Sequence, residues 1–237
     1  MLRLNSRFIS SIKSNPENII LPESFTVTAH TGCEGADDNT LDSIRKGVAA
    51  GADIVETDLH FLPDGTPVLK HDEPQDSESQ KLPTLESAFK LLSSLNVRMN
   101  IDVKSTANIP AVTDLAKKYG VTDKLFFTGV DEKFAPDVKS GAPAIPYYLN
   151  VGVDKKKNTD PVYLASLVNK VKECGAIGIN LNFKGCSKEL VEAFRKEEQL
   201  VSLWTANSKL AMYRCLAFAP DNITTRKPSL LSKIINR

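Results

Sequence analysis

Phe25-Thr26-Val27-Thr28-Ala29 is a short apolar and β-branched run that stops at His30, and it reads as a strand. After a polar, glycine-containing loop, Leu41 to Ala50 predicts a helix, with Asn39 or Thr40 as N-cap and Gly51 closing it. Asp53 to Leu59 predicts a second strand, whose two-residue alternation sets Glu56, Asp58 and His60 on one face. Pro63-Asp64-Gly65-Thr66 is a hairpin signal, and Pro67 to His71 follows it at once. A parallel neighbour needs a crossover of about a dozen residues, so this segment must fold back antiparallel. With Asp64 and Gly65 as the central turn residues, His71 falls opposite Asp58.

The remaining punctuation is regular. Helices are expected over Leu85–Leu95, Ala111–Tyr119, Lys133–Ser140, Val162–Cys174, Lys188–Glu197 and Leu210–Phe218, and Pro228 opens a last one. Between them, strands are expected over Arg98–Val103, Leu125–Thr128, Ile145–Leu149, Ile177–Leu181, Leu200–Trp204 and Asn222–Thr225. Leaving out the hairpin arm, this alternation of strand and helix predicts an α/β fold, a (β/α)8 TIM barrel with an extra β-hairpin arm after the second strand.

The 237 residues suit one such barrel, which takes about 250. One domain is therefore expected over 1–237, with residues 1–24 as an N-terminal helical extension. Thirty basic against 29 acidic residues leave a net charge of +1, so no global field favours nucleic acid or anionic lipid. No apolar run approaches the roughly 18–20 residues of a membrane span, so no transmembrane segment is expected. Nothing in the pattern specifies an oligomeric state.

Cys33, Cys174, Cys186 and Cys215 are scattered and form no CxxC pair, which makes a reducing, cytoplasmic compartment the default. The stretch MLRLNSRFISSIKSN carries Arg3, Arg7 and Lys13 and no acid. It reads first as a short amphipathic helix closing the bottom of the barrel, with a mitochondrial transit peptide as the minor alternative. Lys155, Lys156 and Lys157 read as a solvated loop, with phosphate binding as the alternative.

Function in such barrels sits at the C-terminal ends of the strands. The polar residues expected there are His30, Glu56, Asp58, His71, Asp102, Lys104, Thr128, Asn182, Trp204, Asn207 and Thr225. Carboxylates in a barrel mouth are costly to desolvate unless paired or coordinated. Glu56, Asp58 and Asp102 meeting at one place repel one another, and a divalent cation, Mg²⁺ or Ca²⁺ for all-oxygen ligands, relieves that. Salt bridges such as Asp102 with Lys104 are the alternative. Two histidines near such a cluster suit proton exchange near neutral pH. His60 lies beyond the pair, near the hairpin, and reads as a surface residue.

At these residues the sequence resembles the glycerophosphodiester phosphodiesterase family, within the phospholipase C-like phosphodiesterase superfamily. The family pattern is met by His30-Thr31-Gly32, Asp38-Asn39-Thr40, Glu56-Thr57-Asp58, Asp64-Gly65, His71-Asp72 and Asp102-Val103-Lys104. Trp204-Thr205-Ala206-Asn207 and Ile223-Thr224-Thr225-Arg226-Lys227-Pro228 extend the match toward the C-terminus. The resemblance implies a distorted (β/α)8 barrel that hydrolyses glycerophosphodiesters to an alcohol and glycerol phosphate. It implies a cation held by Glu56, Asp58 and Asp102, an acid/base pair of His30 and His71, and substrate contacts from Lys104 and Trp204. The implied partner is a small-molecule phosphodiester or a phospholipid head group.

Three positions depart from the pattern. Thr31 replaces an arginine, Asp102 replaces a glutamate, and Thr225 replaces an aspartate. The first two are also similar to the sphingomyelinase D branch of the superfamily. A phospholipase D-like enzyme on the same barrel, or a non-catalytic barrel that binds a phosphorylated ligand, therefore stand as alternatives.

Overall fold

The computed structural model describes residues 20–75 and 81–236. The extension expected over residues 1–24 falls largely on residues outside that range. Eight parallel strands close into a barrel: β1 (Thr26–Ala29), β2 (Ile54–Phe61), β4 (Arg98–Val103), β5 (Leu125–Val130), β6 (Tyr147–Asn150), β7 (Gly178–Asn182), β8 (Leu200–Trp204) and β9 (Asn222–Thr225). Pairing of β1 with both β9 and β2 completes the ring. A short strand, β3 (Pro67–Leu69), lies antiparallel on the far end of β2 as the expected arm.

Helices α1 (Leu41–Ala49), α2 (Leu85–Leu92), α3 (Ile109–Tyr119), α4 (Ala135–Gly141), α5 (Pro161–Cys174), α6 (Lys188–Lys196), α7 (Lys209–Leu216) and α8 (Pro228–Ile234) follow the strands. Thr40, Thr84, Asp160, Ser187 and Ser208 each accept a backbone N–H of the first helical turn, so capping side chains fix where these five helices begin. The strand-to-helix loops ending at those caps form one rim of the barrel. Among the described residues, no helix is long and apolar enough to cross a membrane.

Alternation along the strands divides the interior into two zones. Val55, Met99, Ile101, Phe127, Leu149, Ile179, Val201, Leu203 and Ile223 belong to the large apolar core shared with the helices. The intervening positions face the lumen. At its lower end Ile54, Phe126 and Tyr148 make a small separate apolar cluster, with the Phe126 and Tyr148 rings edge to face at 5.6 Å. Above it the lumen turns polar: Thr28 Oγ1 donates to Asn222 Oδ1 (2.8 Å), and Asn222 Nδ2 donates to Ser202 Oγ (3.0 Å). This gradient leaves buried polar groups paired and delivers the carboxylates to the upper mouth.

The hairpin differs from expectation. Leu59 pairs with Leu69, His60 with Val68 and Phe61 with Pro67, so Lys70, not His71, comes opposite Asp58, and the Lys70 N–H donates to the Asp58 carbonyl (3.2 Å). The loop has three residues rather than two. Leu62 N–H donates to Thr66 O (2.9 Å), Asp64 Oδ1 accepts from Thr66 N (2.9 Å), and Gly65 takes φ +84°. A turn completed by a left-handed glycine is the usual three-residue solution, and it moves the pairing by one. His71 thus stands beyond the strand.

Candidate active site

The β2 and β4 register places Asp58 beside Asp102 and Glu56 beside Asn100. One carboxylate oxygen from each of Glu56, Asp58 and Asp102 lies within 4.8 Å of the others. Glu56 and Asp58 are 6% and 4% exposed, far too little for water to screen their charges. Burial, then the charges of Asp58 and Asp102, push the Glu56 carboxyl well above its usual range. Lys104 Nζ reaches Asp58 Oδ1 at 3.1 Å and Asp102 Oδ2 at 2.5 Å. Burial alone would lower the ammonium, but Asp102 and Asp58 outweigh it and push it up to about 12. The salt bridge and the acidic cluster, read as alternatives in the sequence, occur together: one ammonium sits between two of three carboxylates.

Loop side chains hold this cluster. Asn39, at φ +58°, donates through Nδ2 to Asp58 Oδ2 (2.8 Å), while its Oδ1 accepts from Asp58 N (2.8 Å) and Thr57 Oγ1 (3.1 Å). Asn39 N donates to Thr31 Oγ1 (2.5 Å), and Thr31 N donates to Glu56 Oε2 (2.7 Å). The short Thr31 side chain is therefore 2% exposed and spent on the loop. On the other side Thr128 Oγ1 donates to Asp102 Oδ1 (2.6 Å). Gly129 follows at φ +73°, and a Cβ there would sit 2.5 Å from Val103 O and 3.0 Å from Asp102 Oδ1. Only glycine lets β5 approach β4 this closely beside the acid.

His30 and His71 both line the cavity of about 410 Å³ that contains the three acids, Lys104, Thr128 and Trp204. His30 Nδ1 lies 2.8 Å from Thr31 O and 3.7 Å from Glu56 Oε2. His71, with a side chain 65% exposed, holds Asp72 Oδ1 at 2.7 Å, and that bond keeps the Asp72 carboxyl below its usual range. His60 opens instead onto a separate depression with Glu73, Ser105 and Asp137. Thr225 is fully buried and donates to Ala206 O (2.8 Å), leaving Thr224 to face the cavity. Asn207 accepts from Arg226 N (2.8 Å), and Asn182 turns to a neighbouring cavity.

Arg226 was not among the residues expected at the mouth. Its Nη2 bonds Asp38 at 2.9 and 3.1 Å, and its Nη1 lies 2.9 Å from where a Cβ on Gly32 would stand. The guanidinium thus lines the cavity over the His30-Thr31-Gly32 turn. Asn100, Asn150 and Asn180 complete the wall. Asn100 and Asn180 had a sequence signal, since each sits two residues before a position already chosen, on the same strand face.

Three carboxylates, a lysine and two histidines thus share one mouth of an eight-stranded barrel, with oxygen donors that could hold a metal ion beside groups that exchange protons. The profile of the "Glycerophosphoryl diester phosphodiesterase family" matches residues 24–78 and 73–230, and the chain belongs to that family of phosphoric diester hydrolases. A glycerophosphodiester phosphodiesterase of Caldanaerobacter subterraneus subsp. tengcongensis is 22% identical, the alignment covering 89% of this chain and 98% of that one. The crystal structure of a glycerophosphodiester phosphodiesterase from Agrobacterium tumefaciens superposes with TM-score 0.72 at 18% identity, covering 88% of this chain and 99% of that one. An Oleispira antarctica phosphodiesterase, solved in complex with its product sn-glycerol-3-phosphate, gives TM-score 0.74 at 20% identity, covering 92% of this chain and 98% of that one.

Proposed function

We propose that this enzyme hydrolyses glycerophosphodiesters to glycerol phosphate and an alcohol, using a divalent cation held by Glu56, Asp58 and Asp102. The observation that carries the reading is the buried three-acid cluster opening onto a cavity that also holds two histidines. The residues fit a cation by their chemistry: the donors are hard oxygens, and burial, then the charges of Asp58 and Asp102, raises the Glu56 carboxyl in spite of Lys104. Mg²⁺ and Ca²⁺ both suit such donors. When bound, the cation supplies Lewis-acid polarisation of the phosphoryl oxygens.

The proton roles follow from hydrogen bonds. Thr31 O can only accept, so the His30 Nδ1 carries the proton of the neutral ring and Nε2 keeps its lone pair. His30 is thus set as the base that takes the proton of the attacking glycerol hydroxyl. Asp72, an ionised carboxylate, likewise fixes a proton on His71 Nδ1 and faces the charge of an imidazolium. His71 is set as the acid that protonates the leaving alcohol; water then opens the cyclic phosphate with the roles reversed. Lys104 and Arg226 offset phosphoryl charge, Arg226 standing in for the guanidinium that Thr31 cannot provide, and Trp204 packs against the substrate's organic part.

Purified protein incubated with glycerophosphocholine and glycerophosphoglycerol should release glycerol phosphate, lose activity with chelator and regain it with Mg²⁺ or Ca²⁺. His30→Ala and His71→Ala should each lower kcat by about 10²–10⁴-fold. Unchanged turnover in both variants would end the two-histidine assignment. Cleavage of lysolipids alone would favour the phospholipase D-like reading.

A further inference from the structure

A second cavity, of about 440 Å³, adjoins the first and shares Asn150, Asn180 and Trp204 with it. Its lining is chemically opposite. The catalytic cavity contains Asp38, Glu56, Asp58 and Asp102, whereas among the described residues the second has no carboxylate in its lining and has Lys155 and Lys184 at its wall. Lys155 belongs to the triple-lysine stretch that reads in sequence as a solvated loop.

This wall is built rather than loose. Asp154 N donates to Tyr163 OH (2.9 Å), and Asp154 Oδ1 accepts from Lys156 N (2.9 Å), which fixes the loop after β6. Asn158 Nδ2 donates to Gly185 O (2.9 Å), and Ser187 Oγ donates to Asn158 O, tying that loop to the one after β7. A Cβ on Gly185 would come within 3.3 Å of Val153 Cβ, so the two loops are in close contact. The two lysines are therefore presented from loops held to one another, above the amides of Asn150, Asn180 and Asn182.

We infer that this second cavity receives the leaving alcohol, and that the alcohol it favours is a phosphorylated polyol; the inference rests on the phosphodiesterase reading. With phosphorus beside the acids and His71, one arm of the diester extends past Trp204 into the second cavity. Among the described residues that arm meets two ammonium groups and no carboxylate; Asn150 Oδ1 is taken by Gly129 N and Asn180 Nδ2, which leaves Asn150 Nδ2, Asn180 Oδ1 and the Asn182 amide to meet hydroxyls. A choline-type alcohol could stack its cation on Trp204, but both lysines would repel it. In the reaction the P–O bond to the polyol breaks, that oxygen takes the proton from His71, and one water is consumed overall. The products are glycerol phosphate and the polyol phosphate.

The test compares kcat/KM for glycerophosphocholine, glycerophosphoglycerol and a glycerophosphoinositol phosphate at low and high salt. The substrate with the additional phosphomonoester should exceed the choline substrate by about tenfold or more, with the margin shrinking as salt rises. The ratio should fall by about tenfold in Lys155→Gln/Lys184→Gln and return with arginine at both positions. Equal rates, or a parallel fall for all three substrates, would overturn the inference.

A binding arm does not depend on turnover. Inositol 1-phosphate should bind Glu56→Gln protein by calorimetry, and bind about tenfold more weakly once the lysines are also changed. Absence of such lysine-dependent binding counts against this cavity alone. Lysine-dependent binding in a protein that cleaves none of the three diesters would count against the phosphodiesterase reading and leave the anion site standing.

Discussion

The amide of Asn39 accepts from Asp58 N and Thr57 Oγ1 and donates to Asp58 Oδ2, so a loop residue sets the orientation of a carboxylate in the acidic cluster. Partners of this kind typically control metal affinity by about 10–100-fold. Asn39→Ala should therefore weaken Mg²⁺ or Ca²⁺ binding by about that factor in a calorimetric titration, because Asp58 loses its constraint and its own N–H is left unpaired. Affinity within a factor of about two of wild type would show that Asn39 serves the loop only. Arg226 is assigned to substrate instead. Its guanidinium spans the mouth with one nitrogen on Asp38, leaving other donors for a phosphoryl oxygen. Arg226→Gln should raise KM about tenfold with a smaller change in kcat, and Arg226→Lys should recover only part, since a point charge lacks the fork. A kcat loss at constant KM would contradict a ground-state contact.

Most elements were legible because local chemistry decides them. Thr40, Ser187 and Ser208 cap where the sequence places polar residues before apolar periodicity, and Arg98–Val103, Leu200–Trp204 and Asn222–Thr225 are strands with the boundaries expected. The hairpin was legible as an arm but not in register. Asp64-Gly65 fits a two-residue turn as well as a three-residue one, and the choice moves every cross-strand pair by one position. The site divides along the same line. Glu56, Asp58 and Asp102 alternate within strands and could be read from spacing, while Arg226 and Asn39 act from loops whose paths depend on distant contacts such as Arg226 with Asp38. The turn chemistry makes its own prediction. Gly65 holds φ +84°, and a Cβ there would lie 2.9 Å from Asn108 Nδ2, whose amide donates to Gly65 O. Gly65→Ala should lower the free energy of unfolding by about 1–2 kcal/mol in a denaturant titration. An unchanged midpoint would mean that the loop relieves a left-handed alanine by rearranging locally.

Carboxylates stand at both ends of the barrel, and their partners differ. At the upper mouth buried acids face one another around Lys104, an arrangement suited to a cation. At the lower end Asp53 and Asp221, each just before a strand, accept backbone N–H groups of the neighbouring strands, from Val27 (2.9 Å) and Val201 (2.8 Å). These bonds stitch β1 to β2 and β8 to β9, the pairings on either side of the lower seam where β1 meets β9. For Asp221, burial raises the carboxyl above its ordinary range, against the pull of the Val201 N–H and Arg195. An acid with a raised folded pKa binds more protons folded than unfolded, so its contribution is fully present below the ordinary carboxylate range, near pH 4, and is lost as pH climbs through the folded value. Asp221→Asn keeps an acceptor for Val201 and removes the ionisation. The wild type should therefore hold its largest advantage in Tm over Asp221→Asn at about pH 3, and that advantage should shrink or reverse by about pH 7. The comparison is made with chelator present in both proteins, so that the acids of the upper mouth contribute equally. Two Tm curves that stay parallel across this interval would show that Asp221 ionises alike in the folded and unfolded chains, and the lower seam would then be held by its backbone pairs alone.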